Sequence, residues 1–267
     1  MKQVFALAAF LLAGFCTRAQ VMHSLPASGG NIKSSLSQRI GVTDMTIHWD
    51  APGVKGREGK IWGTPVAHYG FQNLGFGTAK ESPWRAGANE NTTLEFGTDV
   101  MIEGKALTAG KYGFFLAVYP DSCSLIFSKN SGAWGSYFYN PAEDVLRITV
   151  RQQKNMPQSR EWLTFELTDQ TENSSVIALL WERWRIPFRV TIDVPKTVFA
   201  ALRQDMQTST GFYEQNLHAA AAYYLQHNYN LDEALEHAKL AQKQAPDEVN
   251  RKSLEAAVKT LAEGKPL

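Results

Sequence analysis

The chain has 267 residues, with 27 lysines and arginines against 26 aspartates and glutamates, a formal net charge of +1. Nothing in that balance calls for nucleic acid or an anionic membrane surface as a partner. Two cysteines cannot build a disulfide framework, so stability must come from a hydrophobic core, which a chain of this length can build.

In chain order, residues 1–19 read as a secretory signal. Lys2 gives a short positive start, "VFALAAFLLAGF" is an apolar run too short to span a bilayer comfortably, and Thr17-Arg18-Ala19 before Gln20 fits a small-x-small cleavage site. Cys16 follows the bulky Phe15, where lipidation wants a small residue, so soluble export to the periplasm or beyond is the preferred reading over a lipid anchor. Cleavage removes Lys2 and Arg18 and no acidic residue, leaving one negative charge in excess and a single cysteine, Cys123. Residues 20–37 read as a linker.

From residue 38 to 194 the dominant period is two. "RITVRQ" sets Ile148 and Val150 against Arg147, Thr149 and Arg151, and "EWLTFELTD" sets Leu163, Phe165 and Leu167 against Trp162, Thr164 and Glu166. "RIPFRVTIDV" places Ile186, Phe188, Val190, Ile192 and Val194 on one face, with Pro187 marking an edge or a bulge. "KYGFFLAVY" is apolar on both faces, as a central strand covered on both sides would be. Glu103-Gly104 reads as a tight hairpin and "TDQTENSS" as another turn. Cys123, in the strand-like "SCSLIF", reads as a small buried hydrophobe. Short strands with no helices between them predict a mainly β fold, an antiparallel β-sandwich or barrel-like domain.

Within this region "SPWRAGANENTTLEF", residues 82–96, concentrates polar groups where a strand begins. One reading is structural. Arg85 stacks on an aromatic ring and bonds carbonyls, Gly87 permits a tight turn, and Asn89, Thr92 and Thr93 satisfy backbone groups. The other is a binding site. Arg85 offers a planar fork to a carboxylate, phosphate or hydroxyl pair, Asn89 a donor and an acceptor, and Trp84 a flat apolar surface. The preceding "GFQNLGFGTAKES" reads as a lid or specificity loop, and "GAWGSYFYN" would add Trp134, Tyr137 and Tyr139 to an aromatic-lined pocket.

After Pro195 the pattern turns helical. "TVFAALRQDM" reads as a short helix and "GFYEQNLHAAAAYYLQHN" as an alanine-rich one. Asn230 reads as an N-cap with Glu233 at the reciprocal capping-box position, followed by a helix that Pro246 stops. A last helix ends at Gly264. Ala222, Leu225, Ala234, Ala241 and Pro246 fall near the small, large and proline positions of a tetratricopeptide unit. One such unit lacks stacked neighbours, so residues 195–267 read as an α-helical hairpin or bundle cap on the sandwich, with a peptide-binding groove as the alternative.

"APGVKGREGKIWG", "WRAGANENTT", "LTAGKYGFFLAVYP", "AWGSYFYN", "DVLRITV" and "LLWERWRIPFRV" occur in an order that resembles the bacterial domain of unknown function family 2911, exported β-rich proteins, over about residues 38–194. The resemblance implies that Lys55, Gly56, Arg57, Trp84, Arg85, Gly87, Ala88, Asn89, Thr92, Gly110, Tyr112, Trp134, Gly135, Tyr139, Asp144 and Trp181 occupy motif positions. It implies no activity, substrate or cofactor. The loop between Gly70 and Trp84 is longer than the family pattern, and "HWD" replaces an aromatic-centred strand end.

Other chemistries find little support. The histidines show no metal-ligand spacing, and His48, Asp50 and His68 are the best metal or acid–base trio. There is no G-x-S-x-G elbow, and "GFQNLGFG" lacks the context of a phosphate loop. Asp50, Glu90, Glu95 and Glu182 are available as paired carboxylates for glycoside hydrolysis. The favoured expectation is a non-catalytic binding module for a small polar or carbohydrate-like ligand, held by Arg57, Trp84, Arg85, Asn89, Trp134, Tyr137 and Tyr139, with no cofactor and no metal. The alternatives are a glycoside-type hydrolase and an envelope scaffold that engages a protein partner through its C-terminal helices.

Overall fold

The computed structural model describes residues 28–244 and, beyond them, Lys252, Glu255, Ala256, Lys259, Thr260 and Glu263. The signal segment, Cys16, Pro246 and most of the last expected helix lie outside the described residues.

Eleven strands follow one another: β1 (Ile32–Ile40), β2 (Thr43–Ala51), β3 (Thr93–Phe96), β4 (Val100–Ile102), β5 (Lys105–Leu107), β6 (Gly110–Val118), β7 (Cys123–Ser128), β8 (Asp144–Val150), β9 (Arg160–Thr168), β10 (Ser174–Glu182) and β11 (Trp184–Thr191). They form two antiparallel sheets, β1-β2-β3-β6-β7-β8 and β5-β4-β11-β10-β9. The sheets close no barrel, so the architecture is the sandwich of the two expected forms. β1 begins at Ile32, inside the stretch expected to be linker. Its serines and charges leave only Ile40 fully buried, so its alternation is weak in the sequence.

The period-two rows meet in one core. Met45, Ile47 and Trp49 of β2, Phe114, Leu116 and Val118 of β6, and Leu125 and Phe127 of β7 face Leu163 and Phe165 of β9, Ile177, Leu179 and Trp181 of β10, and Ile186, Phe188 and Val190 of β11. β6 is apolar on both faces because Phe115 and Ala117, with Ile126 and Tyr139, pack under Phe71 and Ala79 of the long loop before Trp84. Glu103 (φ 47°) and Gly104 (φ 75°) join Ile102 to Lys105 in a two-residue turn with positive φ at both positions, the type I′ pattern. Pro187 falls between the Gln153 bridge at Arg185 and the β4 ladder, which pairs Val190 with Ile102, so the second edge of β11 has no ladder partner there. Cys123 is fully buried, and burial pushes its thiol up to about 12.

The helices α1 (Val194–Met206), α2 (Glu214–Gln226) and α3 (Leu231–Gln244) follow. Asp193 Oδ1 accepts the Lys196 amide at 3.1 Å and Pro195 occupies the first turn, which together start α1. The helices build their own core from Phe199, Ala220, Ala221, Tyr224, Leu225, Ala234 and Ala238. Val194 is the helical residue that packs against the sandwich core. The expected capping box takes a different form. Glu233 accepts from Arg203 Nε (2.8 Å), Tyr224 Oη (3.0 Å) and the Asn230 side chain (2.6 Å), tying three elements together. Ala222, expected at a small position of the repeat, is exposed, and its neighbour Ala221 is buried.

Candidate functional site

β3 has four residues between two nine-residue strands, β2 and β6. Beyond it the facing edges of β2 and β6 lose their ladder partner, and the corner 84–92 fills the gap. Trp84 exchanges both backbone bonds with Leu116 (2.9 and 2.8 Å), and the Ala88 amide donates to Asp50 O (3.0 Å). Thr92 Oγ1 donates to Ala86 O at 3.1 Å. Gly87 sits where a Cβ would crowd Thr92 Oγ1 and Asp50 O. Ala86 and Asn89 both have φ 52°, a conformation asparagine tolerates better than most residues.

A cavity of about 670 Å³ opens against this corner. Its walls come from residues 29–31, the loop Pro52–His68, Leu74, the corner residues Trp84, Arg85, Gly87, Ala88 and Asn89, Ser136-Tyr137, and Trp181 of β10. Of the seven residues expected to bind ligand, Arg57, Trp84, Arg85, Asn89 and Tyr137 line it. Trp134 is 47% exposed and lines no described cavity. Tyr139 is buried against Phe115, its hydroxyl donating to Asp144 Oδ2 (2.6 Å) and accepting from Arg147 (2.7 Å), and it borders a different depression. Burial, then that hydrogen bond, holds the Tyr139 phenol above its ordinary range. The expected pocket thus forms with one of its three extra aromatics.

Trp84 is 4% exposed. It stacks on Trp181 (5.9 Å, 10°) and meets Trp62 edge-on (5.5 Å, 84°), and Trp62 stacks on Trp184 (4.5 Å, 9°). It is therefore a core residue that also lines the cavity. Arg85 Nη1 donates to Asn89 O (2.7 Å), and its Cζ lies 4.7 Å from the Tyr137 ring centre. Gly135 (φ 58°) lies against that guanidinium, where a Cβ would overlap it. Lys55 (φ 52°) and Gly56 (φ 72°) form a tight turn closed by Arg57 N–H to Val54 O (3.1 Å). Arg57 bonds Val54 O through Nε (2.9 Å) and Gly53 O through Nη2 (2.7 Å), and Lys55 Nζ bonds Gly29 O (2.9 Å). The same corner residues brace the sheet and wall a cavity.

His68 lines this cavity and not the depression at His48 and Asp50, so the expected metal or acid–base trio is not assembled. Among the described residues no group of three or more His, Cys, Asp or Glu side chains could hold a metal. Burial, with Arg85 adding to it, holds the His68 imidazole below its ordinary pKa and so neutral at pH 7. The sequence did not place His68, Lys55 or Trp181 among these wall residues; "APGVKGREGK" beside Arg57 was the available signal for Lys55.

Asp50 and Glu90 come together in a separate depression of about 200 Å³, with Lys33 Nζ 2.6 Å from Glu90 Oε1. Burial, then the hydrogen bond to Glu90, raises Asp50 to about 6, while that hydrogen bond holds Glu90 down at about 2. Below about pH 6 Asp50 keeps its proton while Glu90 stays ionised. Glu95 is exposed on β3, and Glu182, in the bulge of β10, accepts the Gly59 amide.

The family model described as "Protein of unknown function (DUF2911)" matches residues 32–190, more than half of the chain. The chain belongs to the DUF2911 family. The matched region spans β1 to β11 and contains most of the cavity wall, so the sandwich and the cavity lie in the DUF2911 part of the chain, while α1–α3 lie beyond it. No curated protein and no solved structure matches the chain.

Proposed function

We propose that this DUF2911 protein is an exported, non-catalytic binding module that takes a small polar or carbohydrate-like ligand into the cavity beside the Trp84–Asn89 corner. The observation that carries the reading is convergence. Arg57, the 84–89 corner and Tyr137, distant in sequence, meet on one concave surface of ligand-sized volume, about 670 Å³. The Tyr137 ring suits the apolar face of a sugar ring, and the arginine and amide groups suit its hydroxyls. Among the described residues no carboxylate lines this cavity, and Asp50 and Glu90 lie in a separate, smaller depression. This favours binding over hydrolysis. Among the described residues no helix is long and apolar enough to cross a membrane.

Tyr137 is the residue on which to test the reading, because it is half-buried on a loop and its loss opens no core void. Tryptophan emission and thermal melting are followed against monosaccharides, sugar acids, amino acids and nucleosides. At least one compound is expected to perturb the emission and raise the melting temperature, and Tyr137→Ala is expected to abolish both while shifting the ligand-free melt by less than about 4 °C. Binding that survives Tyr137→Ala, or conversion of the bound compound into product, would sink the proposal.

A further inference from the structure

The charged side chains that line the cavity are Lys55, Arg57 and Arg85, all cationic. Some cations pair with carboxylates, as in Arg39–Asp44 (2.6 Å) and Arg147–Asp144 (2.6 Å). Among the described residues none of the three cavity cations has such a partner. Their committed donors go to backbone carbonyls: one N–H of Arg85, two of Arg57 and one of Lys55. Three like charges on one concave wall repel one another and raise the local potential, and an incoming anion relieves both effects. Two buried polar atoms of the wall residues, the Trp181 indole N–H, which can only donate, and His68 Nδ1, have no partner among the described residues.

We infer, on the reading that this cavity holds a small ligand, that the ligand is an anion: a monosaccharide-sized molecule carrying a carboxylate or phosphate that meets Arg85, with Lys55 and Arg57 supplying further positive charge. The volume, about 670 Å³, is far more than an inorganic oxyanion fills, and Tyr137 gives the remainder an aromatic surface. A guanidinium already fixed over Tyr137 binds such a group with little further loss of rotamer freedom.

Calorimetry on the full exported chain tests this with three probes: D-glucuronate, D-glucose 6-phosphate and D-glucose. At least one charged probe is expected to bind about tenfold or more tightly than glucose, with the preference shrinking as salt rises from about 50 to 500 mM. Which charged probe wins distinguishes a sugar acid from a sugar phosphate. Arg85→Gln is expected to remove the preference, and Lys55→Gln, an exposed change that leaves the core untouched, to reduce it about threefold or more. Equal affinity for glucose, lost in Tyr137→Ala, overturns the anion inference and leaves the binding reading standing. Charged probes held equally well by wild type, Lys55→Gln and Arg85→Gln overturn it too, because they then sit elsewhere. No binding of any probe at about 10 mM overturns it as well, and the wider compound panel then decides the binding reading on its own.

Discussion

Trp84 lines the cavity, yet its ring is packed into the protein core. Its indole stacks on Trp181 and abuts Trp62, so truncation leaves a void between the two sheets that the surrounding rings cannot fill. Trp84→Ala is therefore expected to destabilise the sandwich by about 3–5 kcal/mol, measured by urea denaturation. A loss below about 1 kcal/mol would show that the stack is not part of the core. Ligand binding lost in this variant reports on folding, which is why Tyr137 and Lys55 carry the functional tests. Arg85 has a similar double bond to its surroundings. It braces the corner through Asn89 O, and its place over Tyr137 exists because residue 135 is a glycine.

At the scale of elements, the shortness of β3 explains both the corner and the carboxyl pair. Where β3 stops, Asp50 at the end of β2 and Glu90 in the corner face each other, and burial keeps a proton on Asp50 up to about pH 6. The native state then holds a proton that the unfolded chain releases near pH 4. The stability contributed by Asp50 is full below about pH 4 and is lost as pH rises through about 6. Glu90 stays ionised across that window. Asp50→Asn keeps a donor toward Glu90 and removes the titration. The stability difference, wild type minus variant, is expected to fall as pH rises from about 4 to 6.5 in urea titrations at fixed pH; a flat or rising difference would show that Asp50 does not keep its proton. The strands around this feature were legible because one buried face imposes a strict alternation, as in β8 and β9. β1 was not, because its hidden row is Ser34, Leu36, Gln38 and Ile40, of which only Ile40 is buried. Tyr137 and Tyr139 stand two apart in one cluster, yet one reaches the cavity and the other the layer under Phe71. Composition marks such a cluster, but the side each ring takes depends on loop packing that carries no period.

Across the whole molecule, two cores lie in sequence with little between them. The sandwich core draws on residues 40–192, and the helical core begins at Phe199. Val194, against Gly41, is the helical residue that joins the first, and Arg203, Tyr224 and Glu233 lock the helices to one another without a strand partner. The cavity takes no residue from α1, α2 or α3. Helical spacing in the sequence located these helices but could not say which surface they would cover, because alanine-rich faces pack equally well on a sheet or on one another. Deleting residues 196–267 retains Val194 and removes the helical core as a unit. The shortened chain is expected to remain soluble and strand-rich by circular dichroism, to melt within about 4 °C of the full chain's sandwich transition, and to bind the same small ligand with unchanged affinity. An insoluble or unfolded product would mean that the helices stabilise the sandwich through more than Val194. A folded product that no longer binds would mean that the cavity depends on a part of the chain beyond the strands.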